Sequence, residues 1–197
     1  MNLPNARERI LEAATKVFAE KSFDGSRIED ISREANVPKS LIYYHFKSKD
    51  EILEVLTTQF MDEYIGLISE NAGEDHQKKA QELPGRMKNV YYEFGQRNAD
   101  LLRVILMDSL KKSKERPVLF KVIEEMTAKE AENNADKDFD VQERRIAEFF
   151  TSFIPNCAYI LFADSWTKYF DMERIQFDKL YMNVYQATHG AYHKNHP

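Results

Sequence analysis

"VPKSLIYYHFKSKDEI", residues 37–52, sets three lysines, two adjacent tyrosines and a histidine behind a single proline. On a helical wheel centred on Ile42, Phe46 lies about 40° away, so these two residues form one apolar edge. Ser40 and Tyr44 fall on the opposite face with Lys47 beside them, and Leu41 and Tyr43 lie on the flanks. The segment therefore reads as a short helix anchored through Ile42 and Phe46, with hydroxyls, amines and one leucine turned outward. Lys39 near the helix start and Lys49 at the next helix add positive charge, where helix N-termini also favour anions.

The residues on either side give this helix its setting. "FDGS" (23–26) breaks a first helix expected from Arg7 to Lys21, whose stripe is Ile10, Ala14, Val17 and Phe18. Ser26 and Glu29 have the spacing of a capping box for a short second helix carrying Ile28, Ile31 and Ala35. "NV" (36–37) turns the chain, and Pro38 suits the first turn of the third helix. Ser48 and Glu51 suggest another capping box, opening a fourth helix with Ile52, Leu56, Phe60 and Tyr64 inward. A short helix, a tight turn and a second helix with a polar, aromatic outer face is a helix-turn-helix pattern. A solvated helical hairpin whose tyrosines pack on a neighbour has the same pattern.

Charge is compatible with a nucleic-acid partner despite the net −5 of the 197-residue chain. Residues 1–50 carry nine Lys/Arg and eight Asp/Glu, against 19 and 25 in the remainder. Phosphate attraction is local at physiological salt, so a basic patch on an acidic body suffices. With 43% hydrophobic residues the chain can bury a core. The single Cys157 rules out an internal disulfide framework and fits a reducing interior. "MNLPNARERI" is too charged for a signal peptide, and no apolar run approaches the roughly 18 residues of a membrane helix. A soluble, cytoplasmic protein with no membrane partner is the expectation.

Apolar residues recur at three- and four-residue spacing throughout, which predicts an all-α fold. Further helices are expected near 82–97, 99–111, 117–131, 143–171 and 174–193. "NAGEDHQ" (71–77) marks a change of composition, and "AENNADKDFD" (131–140) reads as a polar connection. The 143–171 helix is apolar around more than one face, so one side could meet the core and another a partner subunit; a large monomer core is the alternative. Pro155 should kink it.

The stretch "ILEAATKVFAEKSFDGSRIEDISREANVPKSLIYYHFKSKDEIL" (10–53) closely resembles the DNA-binding domain of TetR/AcrR-family repressors. The resemblance implies an N-terminal three-helix helix-turn-helix domain over 1–50 and a helical ligand-binding and dimerisation domain over 51–197. It implies DNA contacts at Ser26, Arg27, Lys39, Ser40, Leu41, Tyr43, Tyr44, His45 and Lys49. Ser40 stands where the family often has glycine and Leu41 where a small polar residue is common, which bears on operator sequence. A homodimer on a palindromic operator, released by a small-molecule effector acting through helix 51–68, follows from the same resemblance. The C-terminal helices would form the dimer's four-helix bundle. A helical protein–protein adaptor with no operator binding is the competing class.

Enzyme chemistry lacks a framework: there is no Gly-rich phosphate loop, G-x-S-x-G elbow or HExxH. No cofactor and no catalytic residue is expected. His189 and His193 stand four apart and could share a metal on one helix face, but no third ligand is near in sequence. They read instead as charge complementing a helix C-terminus, with no metal site. Tyr91, Tyr92, Phe94, Phe120 and Trp166 could line an effector pocket, although such a stripe is more often core.

Overall fold

A computed structural model describes residues 5–70, 93–111, 118–133 and 140–195. Every regular element among them is helical, as the periodicity predicts. The chain divides into two compact units, one of Met1–Glu63 with Asp100–Leu119 and the other of Tyr64–Ala99 with Phe120–Pro197. The first turns of the fourth helix, with Ile52, Leu53, Leu56 and Phe60 buried, belong to the first unit.

In the first unit, α1 (Ala6–Gly25) opens on a capping box. Asn5 Oδ1 accepts from the Glu8 amide at 3.0 Å, and Glu8 accepts the Asn5 amide at 2.9 Å. Regular geometry stops after Lys21, because Ser22 takes φ 61°. The capping box expected between Ser26 and Glu29 is not formed. Ser26 follows directly on α1, and its hydroxyl donates to the Phe23 carbonyl at 2.7 Å, satisfying an acceptor left by the ending helix. Asp30 instead accepts the Arg27 amide at 3.1 Å and starts α2 (Ile28–Glu34).

Asn36, at φ 52°, ends α2 in the left-handed region that asparagine tolerates. The Val37 amide then reaches back to the Ser32 carbonyl at 3.1 Å, a Schellman closure with Val37 buried. The Ser32 hydroxyl donates to the Val37 carbonyl at 2.6 Å and locks the turn. α3 (Lys39–His45) follows Pro38 and packs on both α1 and α2. Ser48 starts α4 (Lys49–Glu70) by accepting the Glu51 amide at 3.1 Å; the Glu51 carboxylate bonds the Lys47 amide rather than that of Ser48. The second expected capping box is thus half formed. α5 (Glu93–Arg97) belongs to the second unit, and α6 (Ala99–Ser109) lies almost wholly in the first.

In the second unit, α7 (Val118–Asn133) buries Val122, Ile123 and Thr127. The long apolar segment is one helical run, α8 (Val141–Ala147), a π-helical turn (Glu148–Phe153) and α9 (Ile154–Tyr169). Pro155 produces this widened turn rather than a break: it has no N–H for the carbonyl four residues back. The Ile154 amide bonds the Phe149 carbonyl, five residues away. α10 (Arg174–Tyr185), a second π-helical turn (Gln186–Gly190) and α11 (Ala191–Asn195) return alongside, and the two widened turns touch.

A polar ladder fixes the register of this antiparallel pair. His193 meets Glu148 at 3.0 Å, and His189 meets Thr151 at 3.0 Å. Ser152 meets Tyr185 at 2.8 Å, and Tyr159 donates to Asp178 at 2.8 Å. Gly95 of α5 sits so close to α9 that an added Cβ would lie 2.4 Å from Ile160 Cδ1. Tyr91, Tyr92 and most of the expected 82–97 helix and 131–140 connection lie outside the described residues.

By length and composition the run Val141–Tyr169 is apolar enough to cross a membrane, contrary to the sequence expectation. Its apolar residues divide between interior and surface: Phe153, Cys157 and Ala163 are buried, Phe150, Phe162 and Trp166 exposed. Burial pushes the Cys157 thiol up to about 12, which makes it packing rather than a nucleophile.

Ile42→Ala should cost the first unit about 2–5 kcal/mol by creating a cavity under α3. Chemical denaturation checks this; an unchanged midpoint would show that Ile42 is not the anchor.

Candidate nucleic-acid interface

α3 presents the face that residues 37–52 suggest. Ile42 and Phe46 are 0% and 2% exposed, while Tyr43 and Tyr44 are 56% and 80% exposed. Lys39, Ser40 and Lys47 are exposed beside them, and Leu41 and His45 are half-buried. The Tyr44 ring meets His45 edge-on at 5.0 Å, and the Arg7 guanidinium lies 5.3 Å from the Phe46 ring centroid. Arg27 is exposed at the start of α2. Lys39 is paired with Glu29 across the α2–α3 corner at 2.5 Å, with both side chains about half exposed. The hydrogen bond donated by the Lys39 ammonium holds the Glu29 carboxyl below its usual range. An exposed pair of this kind is weak enough for a phosphate to replace the carboxylate.

Two of the nine sequence-selected residues are not free surface groups. Ser26 is buried, with its hydroxyl spent on Phe23. Lys49 is half-buried, and its amine donates to the Phe23 carbonyl at 2.6 Å and the Ser26 carbonyl at 3.0 Å. That amine also lies 4.3 Å from the Phe23 ring centroid. Lys49 braces the α1–α2 corner, a role that its position after Ser48 does not disclose.

Sequence reasoning missed a second brace. Lys111, just beyond α6, pairs with Asp24 at 2.9 Å and Asp108 at 3.0 Å, and lies 4.8 Å from the same Phe23 centroid. Phe18 completes the surround edge-on at 5.2 Å. Burial opposes the charge of Lys111, but its two carboxylate partners outweigh it and raise the pKa. The Lys111 bond in turn lowers that of Asp24. No local pattern could have shown this, since residues 24 and 111 meet only in the folded unit.

The aromatics considered for a pocket separate in the structure. Phe94 is buried, 6.1 Å from Tyr64, whereas Phe120 and Trp166 are exposed.

A buried-backed helix offering hydroxyls, amines and aromatic edges beyond a locked turn can bond phosphates and reach base edges. This is the geometry of a helix-turn-helix. Residues 10–56, about a quarter of the chain, match the family described as "Bacterial regulatory proteins, tetR family". The chain is similar to the biofilm operon icaADBC HTH-type negative transcriptional regulator IcaR of Staphylococcus epidermidis, 29% identical over 70 residues. That match covers 36% of this chain and 38% of the relative, so only about a third of either is compared. The Staphylococcus aureus (strain Newman) IcaR is 40% identical over 48 residues, 24% of this chain and 26% of the relative. Among solved structures, the fatty acid degradation regulator FadR from Bacillus halodurans superposes with a TM-score of 0.67 at 18% identity, covering 96% of this chain and 97% of that one. The transcriptional regulator FadR from Bacillus subtilis, in complex with stearoyl-CoA, superposes at 0.61 with 16% identity, over 90% and 96%. At these identities the likeness establishes the fold: an N-terminal helix-turn-helix domain followed by a helical C-terminal domain.

Lys49→Ala should destabilise the first unit by about 1–2 kcal/mol, because two carbonyls lose their donor. A thermal melt indistinguishable from the parent would show that the brace contributes nothing.

Proposed function

We propose that this protein is a ligand-responsive transcriptional repressor of the cytoplasm, binding a palindromic operator as a homodimer and leaving it when a small-molecule effector binds. The observation that carries this reading is the outward face of α3, with Tyr43, Tyr44, Lys39 and Ser40 exposed over the buried Ile42 and Phe46. In the proposed complex, Tyr43, Tyr44, Lys39 and Arg27 hold phosphates and fix register. Ser40 and Leu41 approach base edges, Leu41 against a thymine methyl, and His45 flanks them. Lys49 and Ser26 act from behind, setting the start of α2 and α4 on the duplex. The repressor sense is supported by the negative regulators that share this domain.

Dimerisation is supported by apolar side chains left at the surface of the second unit. Phe150, Phe162 and Trp166 on one helical run and Ile175, Leu180 and Val184 on the next are all exposed in the single chain. Apolar side chains exposed on two neighbouring helical runs suit an interface with a second copy. A two-fold dimer would present two α3 helices to successive major grooves, about 34–36 Å apart or a related spacing. Release requires that the effector bind the DNA-competent and DNA-incompetent conformations unequally.

Tyr44→Ala should lower operator affinity at least about tenfold with no change in melting temperature, since its ring is at the surface. Operator selection from random duplexes followed by titration checks this. Wild-type affinity should also fall steeply as salt rises, the slope reporting the phosphates contacted. A chain that binds no duplex at low salt would overturn the reading and favour the adaptor. Effector screening then asks which small molecules abolish the shift, with long-chain acyl-CoA thioesters as one arm.

Trp166→Glu should convert a dimer to a folded monomer, seen by sedimentation as a halving of mass. An unchanged dimer would place the interface elsewhere.

A further inference from the structure

Three side chains meet where the two π-helical turns touch. Glu148 opens the first turn, His189 lies in the second, and His193 follows one turn later in α11. Glu148 and His189 are buried and His193 is half-buried. One ligating atom from each lies within 4.8 Å of the other two. His193 Nε2 is 3.0 Å from Glu148 Oε1, and His189 Nε2 is 3.9 Å from Oε2. Donors on a tetrahedral ion with bonds of about 2.1 Å stand about 3.4 Å apart, a value that these two distances bracket. π-Helical turns recur at functional sites, and here both helices carry one at the same level.

The hydrogen bonds around His189 give its ring a direction. The Thr151 hydroxyl donates to the Ala147 carbonyl at 2.6 Å, so its oxygen is left to accept from His189 Nδ1–H at 3.0 Å. A ring protonated at Nδ1 turns the lone pair of Nε2 toward Glu148, and 3.9 Å exceeds hydrogen-bond reach. A lone pair facing a carboxylate in a buried site is stabilised by a cation between them. Thr151 stands where ligating histidines hold a hydrogen-bond partner that fixes tautomer and ring orientation.

We propose that Glu148, His189 and His193 bind one divalent first-row transition ion, with Zn2+ the best match to two imidazoles and a carboxylate. Three protein ligands leave a fourth position for water or another donor. The ion takes the place of the Nε2 proton of His193, and the neutral ring keeps its one proton on Nδ1. Arg144 lies 3.5 Å from the same Oε1, with its guanidinium 5.7 Å from the Tyr192 ring centroid. Its positive charge opposes an incoming cation. The bound ion would join the α8–α9 run to α10–α11 at the end of their polar ladder.

The test uses the full-length chain after chelator treatment. Zn2+ is titrated in competition with a chromophoric chelator, and Co2+ serves as a spectroscopic probe of tetrahedral coordination. One ion per chain is expected, with tetrahedral Co2+ bands and a melting temperature raised by Zn2+. His193→Gln and Glu148→Gln should each weaken binding at least about tenfold and remove the thermal shift. Arg144→Gln should tighten it. Glu148 is buried and its variant is at risk of misfolding; His193 is partly exposed, so His193→Gln carries the test alone if need be. Absence of stoichiometric Zn2+ binding, or a folded His193→Gln chain that binds like the parent, would overturn the site and leave the cluster a structural polar contact.

Discussion

Burial of Ile42 and Phe46 is the constraint from which the outward face of α3 follows. A seven-residue helix cannot hold itself together in water, so α3 exists because these two side chains enter the core made by α1 and α2. Once they are buried, helical geometry gives Ser40, Tyr43 and Tyr44 no direction but outward. The Asn36 closure and the Ser32–Val37 bond then fix the angle at which that face is shown. Outward tyrosines are costly to a monomer in solvent. Their exposure here means that they do not pack on a neighbouring helix within the chain.

Behind that face lies an aromatic and electrostatic brace. Phe23 sits among Phe18, Lys49 and Lys111, and Lys49 also saturates two carbonyls of the α1–α2 corner. The corner has to be held because Ser22 leaves regular geometry and frees backbone acceptors there. A lysine can serve as a brace or as a phosphate contact, but one amine already donating twice to carbonyls has little left for DNA. Electrostatics in this unit therefore divides between an outward set that is loosely paired and an inward set that is committed.

The second unit solves a different problem. Its long apolar run would be poorly specified by hydrophobic contact alone, since many registers of two aromatic helices bury similar area. Polar pairs at successive turns choose one register, because each misaligned step would leave a buried donor or acceptor unsatisfied. The widened turn forced by Pro155 sets where Glu148 falls relative to the returning helix. Leaving Phe150, Phe162 and Trp166 outside completes the picture of a helix with two apolar sides and accounts for its membrane-like composition.

What the amino-acid order determined by itself was local. The helical period, the inward edge of Ile42 and Phe46, the outward position of Tyr44, and the breaks at 22–26 and 36–38 all depend on residues within a few positions of one another. Caps were legible only in part: the Ser26 hydroxyl, expected to accept the Glu29 amide, donates instead to the Phe23 carbonyl at the end of the preceding helix. Tertiary structure alone decided that Lys49 turns inward, that Lys111 reaches Asp24, and that Glu148 joins His189 and His193. Those contacts pair residues distant in sequence, and their energies depend on burial and orientation that no periodicity encodes.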